Sequence, residues 1–472
     1  MSLDQIVSVL NGIAWGPWML VLLVGTGVYL SIRVGFIQFS KFIYVMKNTL
    51  GKLFSKQKAG EGEVTPFQAL ATALAATVGT GNIAGVTGAI AVGGPGAVFW
   101  MWISALFGMV TKYAEVVLSI RYRERNAEGD WVGGPMYYIR NGLGKSWNWL
   151  ACVFCVLGAL AAFGIGNMTQ VNTIASSINT AIDSFGGSTG AYTVMILGQT
   201  VPISSIITGA VIAMIVGMVL FGGIKRIGKV AELLVPVMAA IYIAGSLCVV
   251  FSNLGTVGKV FAMIFQGAFN AEAALGGAFG NTIITTIQKG VGRGVFSNEA
   301  GLGSAPMAHA ASSESDPVKQ GLYGIFEVFM DTIVICTLTA LTLLCGAESG
   351  GVEIVWGQSA GAELISASFS TFFGAQIGSS VVAIGITLFA LSTILSWSLY
   401  GTRCCEFLLG SKAAKVYQVI FVAVVILGAT LKLDLVWNIA DTLNGFMALP
   451  NLVALLGLSP VVIKLTKDHF AK

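Results

Sequence analysis

The chain has 472 residues, of which 55% are hydrophobic and only 10% charged, with a net charge of +4. Soluble domains carry about a quarter charged residues, so this composition excludes a soluble globular protein and indicates a multi-span membrane protein. Its apolar segments do not alternate with polar residues, which excludes a strand-built barrel, and its basic residues sit in short loops between spans, so nucleic acid is no partner.

The seven cysteines lie mostly in apolar stretches and imply no disulfide framework. No Lys or Arg precedes Arg33, so no secretory signal is expected. Eleven apolar stretches approach the roughly 20 residues needed to cross a bilayer: 15–33, 66–90, 96–120, 148–178, 201–222, 230–251, 260–287, 318–345, 375–400, 415–431 and 436–461. With the N-terminus outside, alternate loops are basic: Arg33 to Lys58; Arg121 to Lys145; Lys225, Arg226 and Lys229; Lys289, Arg293 and Lys319; Arg403, Lys412 and Lys415; then the C-terminal tail. Basic loops face the cytoplasm, so the pattern predicts an N-terminus outside and a cytoplasmic C-terminus. The expected location is a plasma membrane, the inner membrane of a bacterium.

Span 66–90 contains Thr77-Val78-Gly79-Thr80-Gly81-Asn82, a poor helix for its glycines and threonines. Weakened backbone survives in lipid only when buried in protein or lining a cavity, and a broken helix offers bare N–H and C=O groups to ions and small zwitterions. Close packing through Gly81 and Gly85 is the competing explanation. Setting span 15–33 aside leaves two five-helix halves of opposite orientation, 66–251 and 252–472, the arrangement of inverted-repeat transporters. The first helix of the second half is then 267–289, whose middle, Gly276-Gly277-Ala278-Phe279-Gly280-Asn281, is again glycine-rich and ends in Gly-Asn. Paired interrupted helices point to a transporter's binding site.

Other polar groups stand in apolar runs. Asn167 and Gln170 share one helix face, open either to substrate or to helix–helix bonding. Ser392 and Thr393 are adjacent hydroxyls that could bond their own helix or help hold sodium. Of the carboxylates in or at spans, Glu115 follows Lys112 by three residues and reads as a local ion pair. Glu327 and Asp331 share one face, and Asp331 and Asp441 are the better functional candidates. Gly186 to Gly190 fits a nucleophile-elbow pattern, but the two histidines, His309 and His469, are both placed on the opposite side, so no triad forms. Cys152 and Cys155 lie in a span with no other Cys/His pair nearby, so no metal centre is expected. The chain reads as no enzyme.

Seven stretches, Asn11–Pro17, Ala71–Gly85, Gly93–Trp102, Gly133–Tyr138, Gly294–Pro306, Asp331–Thr337 and Trp437–Gly445, carry a resemblance over nearly the whole chain. It resembles the alanine or glycine:cation symporter family, the sodium:alanine symporters, within the amino acid–polyamine–organocation superfamily. The resemblance implies an all-α integral membrane protein with a leucine-transporter-like 5+5 inverted repeat, one extra N-terminal helix and eleven crossings. It implies sodium held by carbonyls of Ala75, Val78 and Phe389 with the hydroxyls of Ser392 and Thr393. A substrate carboxylate would meet Thr77, Gly79, Thr80 and Gly81, and its amine the carbonyls near Gly276 and Gly277, with Gln170 nearby and Phe279 shaping the pocket. In some relatives a first sodium site uses the asparagine matching Asn82, but the seventh core helix offers no clear partner asparagine. The implied activity is import of a small neutral amino acid, alanine or glycine, with sodium by alternating access. Proton coupling, a preference for glutamine, and an ion channel are the alternatives. Oligomeric state and the role of 294–316 stay open.

Overall fold

A computed structural model describes residues 3–52, 59–60, 63–196, 198–270, 283–431 and 434–471. The chain is helical almost throughout. In order, the helices are α1 (Leu3–Ala14), α2 (Pro17–Arg33), α3 (Pro66–Thr77), α4 (Val86–Gly93), α5 (Ala97–Tyr122), α6 (Asn148–Phe163), α7 (Thr169–Ser184), α8 (Ile203–Leu220), α9 (Gly223–Ser252), α10 (Leu254–Phe269), α11 (Ile283–Asn298), α12 (Pro306–His309), α13 (Pro317–Val328), α14 (Thr337–Glu348), α15 (Ala362–Phe373), α16 (Ala375–Leu409), α17 (Ser411–Thr430), α18 (Asp434–Gly457) and α19 (Ser459–Phe470). Two short antiparallel hairpins, Glu124–Arg125 with Trp131–Val132 and Thr193–Ile196 with Gln199–Pro202, sit in loops. Among the described residues, nine helices or continuous helical stretches are long and apolar enough to cross a membrane, and the bent pair Pro66–Thr77 with Gly81–Gly93 brings the number to ten.

The interruption in that pair follows from local chemistry. Thr65 caps α3 in a reciprocal box with Gln68, and Pro66 takes the first helical position. The helix runs until Val78, whose ψ of 85° leaves the helical region. The chain resumes at Gly81–Gly85 as a widened π-type turn, and the two halves meet at 48°. Such turns gather at functional sites, and two more, Gly164–Met168 between α6 and α7 and Phe329–Cys336 between α13 and α14, face the same region.

The expected second interruption, at 276–281, lies outside the described residues. The structure has an interruption further along. After α11 come Glu299, Gly301 and Gly303 with φ of 56°, 92° and 80°, and then the single turn α12. Three left-handed residues in five cannot continue a right-handed helix. This element starts beside Gly93, whose carbonyl accepts from Thr286 Oγ1 at 2.8 Å. It ends beside Val64, which exchanges backbone hydrogen bonds with Ala311 and Ser313 at 3.0 and 2.8 Å. It therefore runs opposite to α3–α4. The expected crossing 260–287 includes residues outside the described ones; of its described parts, Gly267 packs at Gly96, the Ala268 carbonyl accepts from Trp100 Nε1, and Thr286 sits at Gly93. Lys289 and Arg293, assigned from sequence to the basic loops of the opposite side, stand on α11 toward the Gly93 end.

Candidate functional site

The first break is built from α3, α7 and α16. Gly79 N–H donates to Asn82 Oδ1 at 2.8 Å, so the Asn82 side chain closes the loop on itself. Thr80 donates to Gln170 Oε1 through its N–H at 3.4 Å and its hydroxyl at 3.0 Å. Gln170 is aimed there because its Nε2 donates to Ile165 O, at 2.8 Å, inside the widened turn before α7. A Cβ on Gly79 would lie 2.4 Å from Thr393 Oγ1, so only glycine lets the loop touch α16 this closely. Thr77 is directed elsewhere, its hydroxyl bonding back to Ala73 O and Leu74 O. Gly81 backs onto the Phe296 ring of α11. Gly276, Gly277 and Phe279 lie outside the described residues.

Beside the break, five oxygens converge. Ser392 Oγ lies 3.1 Å from Ala75 O and 2.8 Å from Phe389 O. Thr393 Oγ1 lies 3.1 Å from Ala75 O, 3.2 Å from Ala76 O and 3.0 Å from Phe389 O. The two hydroxyls therefore bond their own helix and also tie it to α3. Turning their protons aside would leave lone pairs and carbonyls facing one point, the all-oxygen shell a hard cation takes. Val78, the fifth residue expected there, is buried, and its N–H closes α3 on Leu74 O.

A fully buried polar cluster links this break to the end of α11. Asp331 accepts from Asn82 Nδ2 at 2.6 Å, from Ser297 Oγ at 2.9 Å and from Thr332 Oγ1 at 2.7 Å. The second interruption is held differently. Glu115 Oε1 accepts from the N–H groups of Gly301 and Gly303 at 3.1 and 3.0 Å and from Asn451 Nδ2 at 2.6 Å. Glu299 accepts from Trp397 Nε1 of α16 at 2.8 Å and from Ser304. Sequence reasoning treated residues 294–316 as one inner segment. The signal for an interrupted helix is present in Ser297-Asn298 followed by Gly301, Gly303 and Pro306, a run of helix breakers.

Other expectations are redistributed. Lys112 pairs with Glu327 at 3.2 Å rather than with Glu115, and both side chains are 0% exposed. Glu327 also meets His309 Nε2 at 3.2 Å. Asn167 turns to Phe421 O at 2.8 Å and is a helix–helix tie, unlike Gln170. Asp441 lies away from the break, against Asn11. Among the described residues no group of three or more His, Cys, Asp or Glu is arranged to hold a metal ion.

The sequence of this chain matches the Sodium:alanine symporter family over residues 1–472. The chain belongs to that family. It is therefore a membrane transport protein of a symporter family and not an enzyme. It is 46% identical to the "Sodium/alanine symporter AgcS" of Methanococcus maripaludis, covering 99% of this chain and 97% of that protein. It is 44% identical to an "Uncharacterized transporter" of Haemophilus influenzae, covering 100% and 97%. It is 36% identical to the "Probable sodium/glutamine symporter GlnT" of Bacillus subtilis, covering 99% and 91%. Among solved structures, MhsT in complex with L-phenylalanine superposes with a TM-score of 0.58 at 14% identity, covering 86% of this chain and 99% of that one. The symporter thus has the leucine-transporter-like fold.

Proposed function

We propose that this symporter imports a small neutral amino acid, alanine or glycine, together with sodium. The observation that carries the reading is the meeting of Gly79, Thr80 and Gln170 with the oxygen cluster of Ala75, Phe389, Ser392 and Thr393 across one interrupted helix. In the loaded state the substrate carboxylate takes the N–H groups of Gly79 and Thr80, with Thr77 and Gly81 bounding the loop and Gln170 shifting toward the amine. Residues near Gly276, Gly277 and Phe279 complete the pocket in this reading. Sodium sits between α3 and α16, on Ala75, Val78, Phe389, Ser392 and Thr393. It orders Val78–Gly81, so sodium and amino acid strengthen each other's binding by the same factor. The halves 66–251 and 252–472 then rock against each other to expose the site on either side. The Gly93 end faces outward, the C-terminus lies in the cytoplasm, and the membrane is a bacterial inner membrane.

The glycine, alanine and threonine walls of the break favour a small side chain. The resemblance to GlnT favours glutamine as the second reading. Purified protein in proteoliposomes, given sodium and proton gradients separately, tests both. Labelled alanine should accumulate under an inward sodium gradient, with glutamine a poor competitor. Accumulation driven by the proton gradient alone, or alanine uptake abolished by equimolar glutamine, would replace this reading.

A further inference from the structure

A polar cavity lies toward the Gly93 end, away from the break. It has a volume of 180 Å³ and is bounded by α1, α11 and α18. Lys289 and Arg293 of α11 line it from one side and Asp441 of α18 from another. Asp441 is held by α1: Asn11 Nδ2 donates to its Oδ2 at 3.3 Å, and Trp15 Nε1 donates to its backbone carbonyl at 2.9 Å. Among the described residues neither Lys289 nor Arg293 makes an ion pair within 4 Å. The cavity thus presents two positive groups and one negative group that do not pair with one another.

That charge set selects its ligand. A simple anion would satisfy the cations but would face the Asp441 carboxylate. A cation would face Lys289 and Arg293. A zwitterion satisfies all three, its carboxylate on the guanidinium and ammonium donors and its own ammonium on Asp441. A ring that meets the cavity lining also meets the break. The Arg293 guanidinium lies 5.0 Å from the Phe296 ring centroid, and the same ring packs on Gly81. We propose that this cavity is a second, peripheral binding site for a free zwitterionic amino acid, from which the substrate passes Phe296 to the first break. The proposal rests on the reading of the break given above.

The test is equilibrium binding of labelled alanine to the purified full-length chain in sodium buffer, read as alanine bound per chain. The wild type is expected to bind two. Lys289→Gln and Asp441→Asn should each bind one, Gly79→Leu should bind one, and Gly79→Leu with Asp441→Asn none. In uptake, Lys289→Gln should lower kcat/KM for alanine about tenfold without shifting the sodium concentration for half-maximal rate. One alanine per wild-type chain, unchanged in Lys289→Gln and Asp441→Asn, would overturn the peripheral site alone. Two alanines retained in Gly79→Leu would instead remove the break from the binding reading. The Lys289 and Asp441 arms stand whether or not Gly79→Leu folds.

Discussion

At the residue scale, the sharpest constraint is the contact between Gly79 and Thr393. A methyl at position 79 would have to share space with the Thr393 hydroxyl, 2.4 Å away. Gly79→Leu should therefore abolish alanine uptake while the protein still reaches the membrane, measured by uptake against surface-labelled protein. Ser392→Ala with Thr393→Ala removes two of the converging oxygens and keeps the helix. Half-maximal uptake should then require at least tenfold more sodium, and an unchanged sodium curve would take α16 out of the proposed cation site. The Lys112–Glu327 pair is a different kind of feature. Both groups are fully buried, so removing one leaves the other charge uncompensated, at a cost of about 3–5 kcal/mol. Lys112→Met should lower the melting temperature of the purified protein markedly, and Lys112→Met with Glu327→Leu should recover much of the loss.

At the element scale, the two interrupted helices are held open by different means. The first is closed by neutral amides, Asn82 and Gln170, whose hydrogen bonds a carboxylate ligand could replace. The second is closed by Glu115, whose charge is already seated on the N–H groups of Gly301 and Gly303. Charge-assisted bonds are roughly twice as strong as neutral ones. The first break is thus the exchangeable one and the second the anchored one. Glu115→Gln keeps the shape and removes the charge. It should raise amide hydrogen exchange at 299–305 relative to 78–82, as read by mass spectrometry. Equal protection in both proteins would show that Glu115 does not anchor the turn. Gly301, at φ 92°, tolerates no side chain without strain of about 1–3 kcal/mol.

At the scale of the whole molecule, the structure is fastened at the Val64 end. Val64 pairs with Ala311 and Ser313, and the Arg123 guanidinium caps the carbonyls of Ala310, Ser312 and Glu314. These contacts join the start of α3 to the chain beyond α12, so access from that end requires them to part. A cysteine pair at Val64 and Ser312, cross-linked by a short bis-thiosulfonate, should stop uptake, and reductant should restore it. Uptake that continues through the cross-link would mean this end does not open in the cycle. Residue patterns alone indicated the membrane class and the first break, while the place of Gln170, Ser392 and Thr393 beside that break was implied by the family resemblance. Hydropathy and helix-breaking residues act locally, and in lipid a weak backbone must find partners inside the protein. The second interruption expected from sequence, at 276–281, lies outside the described residues, and the reading did not mark the one at Glu299–Gly303, because glycine amid apolar residues occurs in both stretches. Sequence proximity likewise gave Glu115 to Lys112, three residues away, where the fold gave it to Gly301, Gly303 and Asn451. Those partners follow from packing alone, since a buried charge takes the donors that the fold brings to it, whatever their distance along the chain.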